Sequence, residues 1–176
     1  MVIGFESESA KKLFLKYAIP CGHVLVERGD LKKEKLAELG KKLMAGERID
    51  DDLEEVFRIG VRMCFLIAKK LGKDSIDEEV IRRYFWKEHE EAIKWRASIY
   101  PDVKPEACRI YAGRITGVGG GFVEAETPKG TAKYRRDFIE NPKENDFVIL
   151  HYGYAVEKIT EKEYKTLRRK FNKQLA

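Results

Sequence analysis

A change in the spacing of apolar residues near residue 100 constrains the fold of this chain more than any other feature. Before it, apolar residues recur every three or four positions, which is typical of helices; from residue 108 they alternate with polar residues, which is typical of strands. Pro101 and Pro105 lie between the two patterns, where they prevent a helix from continuing. The sequence therefore predicts an α+β protein with a helical domain over residues 1–100 and a β domain over residues 107–176.

The first hundred residues contain four candidate helices, which together would form a small bundle. Caps, stop residues and apolar spacing predict them over 5–17, 31–45, 50–71 and 76–97. Asp30 is expected to cap the second helix, and a capping box at Ser75 and Glu78 to open the fourth. Pro20 predicts a break after the first helix, followed by an extended piece over 23–26.

The fourth helix is unusual because it is apolar on two sides. At α-helical spacing Tyr84 and Trp95 lie on one side with Glu88 among them, and Phe85 and His89 lie on the other. Two apolar sides need two partners. We therefore expect this helix to lie between the domains or at a contact between copies in a homo-oligomer.

The second part of the chain predicts a small barrel closed by a helix. Strands are expected at 108–117, 121–127, 131–139 and 146–157, separated by turns rich in glycine, proline and asparagine. Thr160 and Glu163 form a capping box that opens the last helix. The inner face of that helix would carry Tyr164, Leu167, Phe171 and Leu175. This pattern predicts an OB-like β-barrel with a C-terminal helix.

The net charge is concentrated in that last helix. The chain carries +5, and residues 158–176, with seven basic and two acidic side chains, account for all of it. A basic helix favours an acidic partner, either a protein surface or nucleic acid. We expect Arg168, Arg169 and Lys170 to contact that partner. A solvated helix face explains the same pattern about equally well.

Cys108 and His151 are the candidate metal ligands. His151 interrupts a run of strand-forming residues, where a buried imidazole needs a polar partner. Cys108 begins the first strand of the barrel. If the two strands pair, the thiol and the imidazole form a two-ligand platform for a soft or borderline metal. Otherwise Cys108 is a small buried hydrophobe, and His151 bonds a backbone carbonyl.

Two segments around these residues resemble the HypC/HupF family, small chaperones of [NiFe]-hydrogenase maturation. The family begins with Cys, followed five residues later by Gly, a basic residue and a β-branched one, as at Cys108, Gly113, Arg114 and Ile115. It closes with an acidic, aromatic and aliphatic strand that runs into His, any residue, Gly, aromatic and Ala. The matching run is Asp146-Phe-Val-Ile-Leu-His151-Tyr-Gly153-Tyr-Ala155, and an amphipathic helix follows it. The resemblance covers about residues 107–176.

The resemblance implies a non-enzymatic accessory or chaperone protein, without catalytic or cofactor-binding residues, that helps to assemble the iron centre of a hydrogenase. Cys108 and His151 would contact the iron. The partner would be another maturation protein or the precursor of a hydrogenase large subunit. Cys108 is internal here, whereas the family has its Cys at the mature N-terminus, so it offers only its sulfur. Two protein ligands are too few to hold a divalent ion tightly, which implies transient, partner-dependent iron.

A different function is predicted by Tyr134, Arg135 and Arg136, which combine aromatic and basic groups on one strand. Small OB-like barrels present such surfaces to single-stranded nucleic acid. A nucleic-acid-binding barrel that also uses the basic C-terminal helix is therefore the alternative to the chaperone.

Two residue pairs in the helical part predict metal binding more weakly. Glu88 with His89 would suit a metal-dependent enzyme, and Cys21 with His23 a metal chelate. Ordinary ion pairing and packing explain both pairs better.

Cysteine usage and apolar runs indicate the compartment. Three widely spaced cysteines favour a reducing cytoplasm over a disulfide framework. Charged residues near the start of the chain interrupt the apolar run that a secretory signal peptide needs. No apolar run reaches the ~20 residues of a membrane helix. Abundant Lys and Glu are typical of the ion-paired surface of a thermophile protein. We expect a cytoplasmic protein with no membrane partner.

Overall fold

The chain folds into two compact units, Met1–Val103 and Lys104–Ala176. The computed structural model describes residues 4–101, 104–106 and 108–175, except for the side chains of 171 and 173–175. The first unit is helical, and the second consists of a five-stranded closed sheet and one helix. The predicted α+β fold, with N-terminal helices followed by a closed β-sheet and a C-terminal helix, is confirmed. Predicted linker residues 102 and 103, and the predicted inner-face side chains of Phe171 and Leu175, lie outside the described residues.

Over residues 4–101, the helical unit contains six helices and one π-helical turn. They are α1 Glu8–Glu27, α2 Lys33–Met44, α3 Leu53–Val56, α4 Arg58–Lys70, α5 Glu78–Arg83, the π-turn Tyr84–Glu88 and α6 His89–Ile99. Oxygens of short polar side chains cap three helix starts, as at Ser7 of α1 and Asp52 of α3. The cap of α5 is Asp77 and not the predicted Ser75, and α2 begins after Lys32 without the predicted Asp30 cap.

The predicted helix break at Pro20 is wrong, because α1 continues through it to Glu27. A proline inside a helix removes one backbone hydrogen bond and costs roughly 3 kcal/mol. Burial offsets that cost, since Ala18, Ile19 and Pro20 are all buried. Gly22 allows close packing here: a Cβ on it would lie 2.6 Å from Leu36 Cδ1 of α2. The piece predicted to be extended is therefore helical.

The predicted third helix over 50–71 is interrupted at Phe57. The backbone there takes φ −121° and ψ 50°, which ends α3, and α4 begins at the next residue. The Phe57 ring is buried and packs edge-on against Phe14 at a centroid distance of 6.0 Å. The helix is thus interrupted where Phe57 packs against α1. The spacing of apolar residues in the sequence does not reveal this interruption.

The two-sided apolar pattern of the fourth predicted helix is explained by the π-turn. The backbone N–H of His89 bonds the carbonyl of Tyr84, five residues earlier instead of four. The extra residue brings His89 to the buried side, next to the Tyr84 ring, and leaves Glu88 half-exposed beside Arg83. The prediction that Trp95 belongs to an apolar face with Tyr84 is wrong, since Trp95 is 65% exposed. A homo-oligomer contact on this helix stays a prediction.

In the part of the barrel unit that the structure describes, five strands form the closed order β1-β2-β3-β5-β4. They are β1 Ile110–Gly119, β2 Phe122–Thr127, β3 Gly130–Arg135, β4 Phe147–His151 and β5 Tyr154–Ile159, and α7 Glu161–Leu175 follows. All pairs are antiparallel except β3 with β5. Alternate strand residues, together with Ile139 from the segment after β3, form the core: Tyr111, Ile115, Val123, Ala125, Ile139, Val148, Leu150 and Ala155.

The single strand predicted over 146–157 is wrong, because the segment forms a hairpin of two strands, β4 and β5, joined by a turn. Tyr152 and Gly153 have φ values of 47° and 82°, and His151 pairs with Tyr154 across them. Positive φ at both central residues is the type I′ turn, whose twist matches that of the strands. The sequence signal was weak because tyrosine, not asparagine or aspartate, occupies the first turn position.

The capping box predicted for the last helix is present. The Thr160 N–H donates to Glu163 Oε2 at 2.8 Å, and the Glu163 N–H donates to Thr160 Oγ1 at 3.2 Å. From there α7 packs against β1 and β4, with the Tyr164 ring stacked on Phe147 at 4.4 Å and Leu167 buried. The basic helix is thereby fixed to the barrel at its first turns.

Asp51 ties the loop before α3 to α2, and its replacement gives a pH-dependent prediction. Its carboxylate accepts hydrogen bonds from Lys35 and, at 3.0 Å, from Lys42. The hydrogen bond from Lys35 holds the pKa of the Asp51 carboxyl below its usual range. The ionised Asp51 carboxylate therefore stabilises the fold fully above about pH 4, the pKa of an unfolded-state aspartate. This contribution is lost as the pH falls through the lower pKa that Asp51 has in the folded protein. We expect Asp51→Asn to lower the free energy of unfolding by about 1 kcal/mol at pH 7.

The measurement is urea unfolding followed by tryptophan fluorescence at pH 7 and at about pH 2.5, and the effect should shrink toward zero at the lower pH. The matched control is Asp50→Asn, because Asp50 is 73% exposed and its partner Arg48 is 81% exposed. An equal loss in both variants at pH 7 would contradict this role of Asp51.

Candidate functional site

The end of the β1–β4 strand pair holds His151 and lies next to Cys108. Ile110 is the residue directly opposite His151, and Cys108 precedes Ile110 by two positions. Both Cys108 and His151 are buried, and His151 is fully so. Strands β1 and β4 are thus paired, with Cys108 in the bend just before β1 and not on the strand as predicted, while coordination by Cys108 and His151 stays a prediction.

His151 points away from the interior of the barrel. Its neighbour Leu150 belongs to the barrel core, and successive side chains of a strand face opposite sides. The opposite side of the same strands is nevertheless buried too, since Ile110, Ala112 and Ile149 have almost no exposed surface. The imidazole therefore lies in a place that water does not reach, where every polar group needs a partner.

The type I′ turn positions His151 at the last residue of β4. Pairing of His151 with Tyr154 closes the turn, and Gly153 supplies the positive φ that other residues rarely adopt. The Tyr154 ring stacks on Phe138 at 5.2 Å, which holds the far side of the turn. The His-x-Gly-aromatic pattern is therefore a structural motif that fixes the backbone beside the imidazole.

The predicted partner-binding residues differ in their surroundings. The Arg168 guanidinium donates to the Tyr164 hydroxyl at 2.6 Å and lies over that ring, so it is held on its own helix. Arg169 is exposed, and Lys170 is half-buried. Among these residues Arg169 has the geometry best suited to meet an acidic partner.

The three residues predicted to bind nucleic acid are held by contacts within the barrel unit to different degrees, although Arg135 is exposed. Tyr134 packs against the barrel core, and burial raises the pKa of its hydroxyl. Arg135 pairs with Asp137 at 2.5 Å and lies over the Tyr154 ring. Arg136 is half-buried. No described contact of these three residues favours a base-stacking platform, and the nucleic-acid alternative stays a prediction.

The helical unit brings together a pair that the sequence did not indicate, Cys21 of α1 and His89 of α6. The Cys21 sulfur and a ring nitrogen of His89 lie within 4.8 Å of each other. The predicted chelate of Cys21 with His23 is not favoured, because residues two positions apart on a helix face different sides. Glu88 does not share the buried environment of His89. Only the tertiary fold could reveal the new pair, since 67 residues separate its members.

Aromatic rings fix the position of His89. Its imidazole packs edge-on against Tyr84 at 5.5 Å and tilted against Phe85 at 5.2 Å. Burial is the main cause that raises the pKa of the Tyr84 hydroxyl, with contributions from the nearby Cys64 and Cys21 thiols. Burial also raises the pKa of the Cys64 thiol. Cys21 is half-buried, and its thiol lies 3.5 Å from the Ala18 carbonyl oxygen.

Comparisons of the chain with models of known protein families and with curated protein sequences find no match. Within the part of the chain that the structure describes, none of the helices combines the length and apolar character needed to cross a lipid bilayer.

Proposed function

We propose that this protein is a non-enzymatic accessory factor in the assembly of a protein-bound iron centre, as its resemblance to [NiFe]-hydrogenase maturation chaperones implies. Iron is its cargo, held at the barrel between Cys108 and His151 while a maturation protein or an enzyme precursor is bound. The basic face of α7 contacts that partner, and the cytoplasm is the compartment where this happens.

The observation that carries the proposal is the β1–β4 register. Ile110 lies opposite His151 at the end of the ladder, and Cys108 comes two residues earlier, in the bend that leads into β1. Two residues of chain span at most roughly 7 Å, which is short enough for the two side chains to meet around one ion. A thiolate and a neutral imidazole are both suitable ligands for iron.

The ligand number supports a partner-dependent site. Cys108 offers one sulfur and His151 one ring nitrogen, whereas metal sites that bind tightly use three or four protein ligands. The remaining positions therefore belong to the partner or to small exogenous ligands. Burial of His151 also limits access of water, which would otherwise compete for the ion.

The prediction is that iron is absent from the isolated chain and stoichiometric in its native complex. The complex is isolated from the native cell by affinity capture, and iron is measured by elemental analysis. Cys108→Ala and His151→Ala are each expected to remove the iron, because one protein ligand is too few to retain it. Cys64→Ala is the control, since the Cys64 thiol is fully buried within the helical unit.

Two results would contradict the proposal. Iron that persists in the complex of the Cys108→Ala variant would place the metal elsewhere, and a native complex without iron would leave the barrel a docking module only. The nucleic-acid alternative is distinguished by salt, because binding through phosphates weakens steeply as salt is added.

A further inference from the structure

We propose that the helical unit contains a metal-binding site of its own, with Cys21 and His89 as its protein ligands. Its ion is divalent and of the borderline class that accepts both sulfur and imidazole nitrogen, such as Zn²⁺, Co²⁺ or Fe²⁺. This inference does not depend on the function proposed for the barrel, since both residues belong to the unit Met1–Val103.

The separation of the two donor atoms fits one ion. In a tetrahedral site with metal–sulfur and metal–nitrogen bonds of about 2.3 and 2.0 Å, the two ligand atoms lie roughly 3.5 Å apart. The Cys21 sulfur and the His89 nitrogen are within 4.8 Å. The remaining difference is at most about 1.3 Å, which a side-chain rotation can close.

The backbone around each ligand is arranged for close approach. Gly22 next to Cys21 is closely packed, with the Leu36 side chain where its Cβ would lie, which fixes α1 against α2. The π-turn before His89 places the imidazole on the buried side of its helix, and π-turns recur at functional sites. The Tyr84 and Phe85 rings then restrict its rotation. Both ligands are therefore held on rigid elements before an ion arrives.

The immediate surroundings suit an ion with exogenous ligands. Cys21 is half-buried, unlike the fully buried Cys64. With two protein ligands, the ion keeps open positions for water or a small anion, as in metal sites that exchange their ligands.

The test is Co²⁺ titration of the full-length chain in a Cys108→Ala background, which removes the barrel thiol. Since two protein ligands hold a divalent ion only weakly, we expect a sulfur-to-cobalt absorption band that develops as Co²⁺ is raised to millimolar concentration. Cys21→Ala should abolish the band, and His89→Gln should weaken Co²⁺ binding by more than about tenfold, because each removes one of two protein ligands. Cys64→Ala is the matched control and should leave the band unchanged, because its desolvated thiol stays protonated.

Absence of the band at millimolar Co²⁺, or its survival in Cys21→Ala, would overturn the proposal. If circular dichroism indicates that Cys21→Ala is unfolded, alkylation replaces the variant. Iodoacetamide labelling of Cys21 is then mapped by mass spectrometry with and without Zn²⁺. Slower labelling of Cys21 with Zn²⁺ supports the site, and an unchanged rate rejects it. Because the barrel thiol is absent from the titration, a negative result here leaves the iron proposal for the barrel intact.

Discussion

Replacement of Phe14 by alanine is expected to lower the free energy of unfolding of the helical unit by about 3–5 kcal/mol. Phe14 is fully buried, and its ring meets three others: Phe5 at 5.4 Å, Phe57 at 6.0 Å and Phe85 at 6.0 Å. These rings come from the N-terminal segment, the α3–α4 junction and the π-turn. Removal of the central ring leaves a cavity that no single neighbour can fill, and edge-to-face contacts are lost as well.

The measurement is denaturant unfolding followed by tryptophan fluorescence, because both tryptophans, Trp86 and Trp95, belong to the helical unit. The Trp86 indole N–H donates to the buried Tyr17 hydroxyl at 2.6 Å, so its emission should follow the integrity of this core. Trp95→Ala is the control, since Trp95 is 65% exposed and its loss should change stability by less than about 0.5 kcal/mol. A loss below about 1 kcal/mol in Phe14→Ala would contradict a core centred on this ring.

The second large effect is expected in the barrel, where Gly113→Ala should destabilise by about 1–3 kcal/mol. A Cβ at position 113 would lie 2.7 Å from Leu150 Cδ1 and 3.2 Å from the Glu126 carbonyl oxygen. Leu150 is almost fully buried, so it cannot turn out of the way without disturbing the core. The glycine of the Cys-x4-Gly motif is therefore needed for packing and not for an unusual backbone angle.

Gly117→Ala is the matched control on the same strand. There the nearest atom to the added Cβ is Glu124 Cβ at 3.7 Å, an ordinary contact, and little destabilisation is expected. The readout is amide hydrogen exchange of peptides from β1 and β4, measured by mass spectrometry, because the barrel contains no tryptophan.

A second variant, Leu150→Val, tests whether Leu150 causes the destabilisation. The smaller side chain makes room for the added Cβ, so the double variant should lose less stability than the sum of the losses in the two single variants. Full additivity would show that the clash is not with Leu150.

Several features of this fold could be predicted from the sequence because they depend on residues close together in the chain. The change from helical to strand spacing near residue 100 determines the α+β class, since one periodicity buries a helix face and the other a strand face. The capping box of Thr160 and Glu163 needs only residues three apart, and it is formed as predicted. The strand pair that carries the Cys108 and His151 motifs was likewise anticipated, although their role in binding metal stays a prediction.

Other features depend on contacts between distant residues, and only the tertiary structure decides them. Helix α1 continues through Pro20 because burial of that segment outweighs the lost hydrogen bond. The π-turn at Tyr84–Glu88 places His89, and not Glu88, on the buried side of its helix. Local spacing predicts neither result, since the stabilising contacts come from other helices.

The candidate sites divide in the same way. The sequence by itself determined where a barrel with an unusual strand histidine would form, because the residue pattern of paired strands is local. The pairing of Cys21 with His89 was decided by the packing of the helical unit, because the fold brings α1 and α6 together across 67 residues of sequence. Two ligands so far apart in the chain form no short sequence motif that could have predicted the pair.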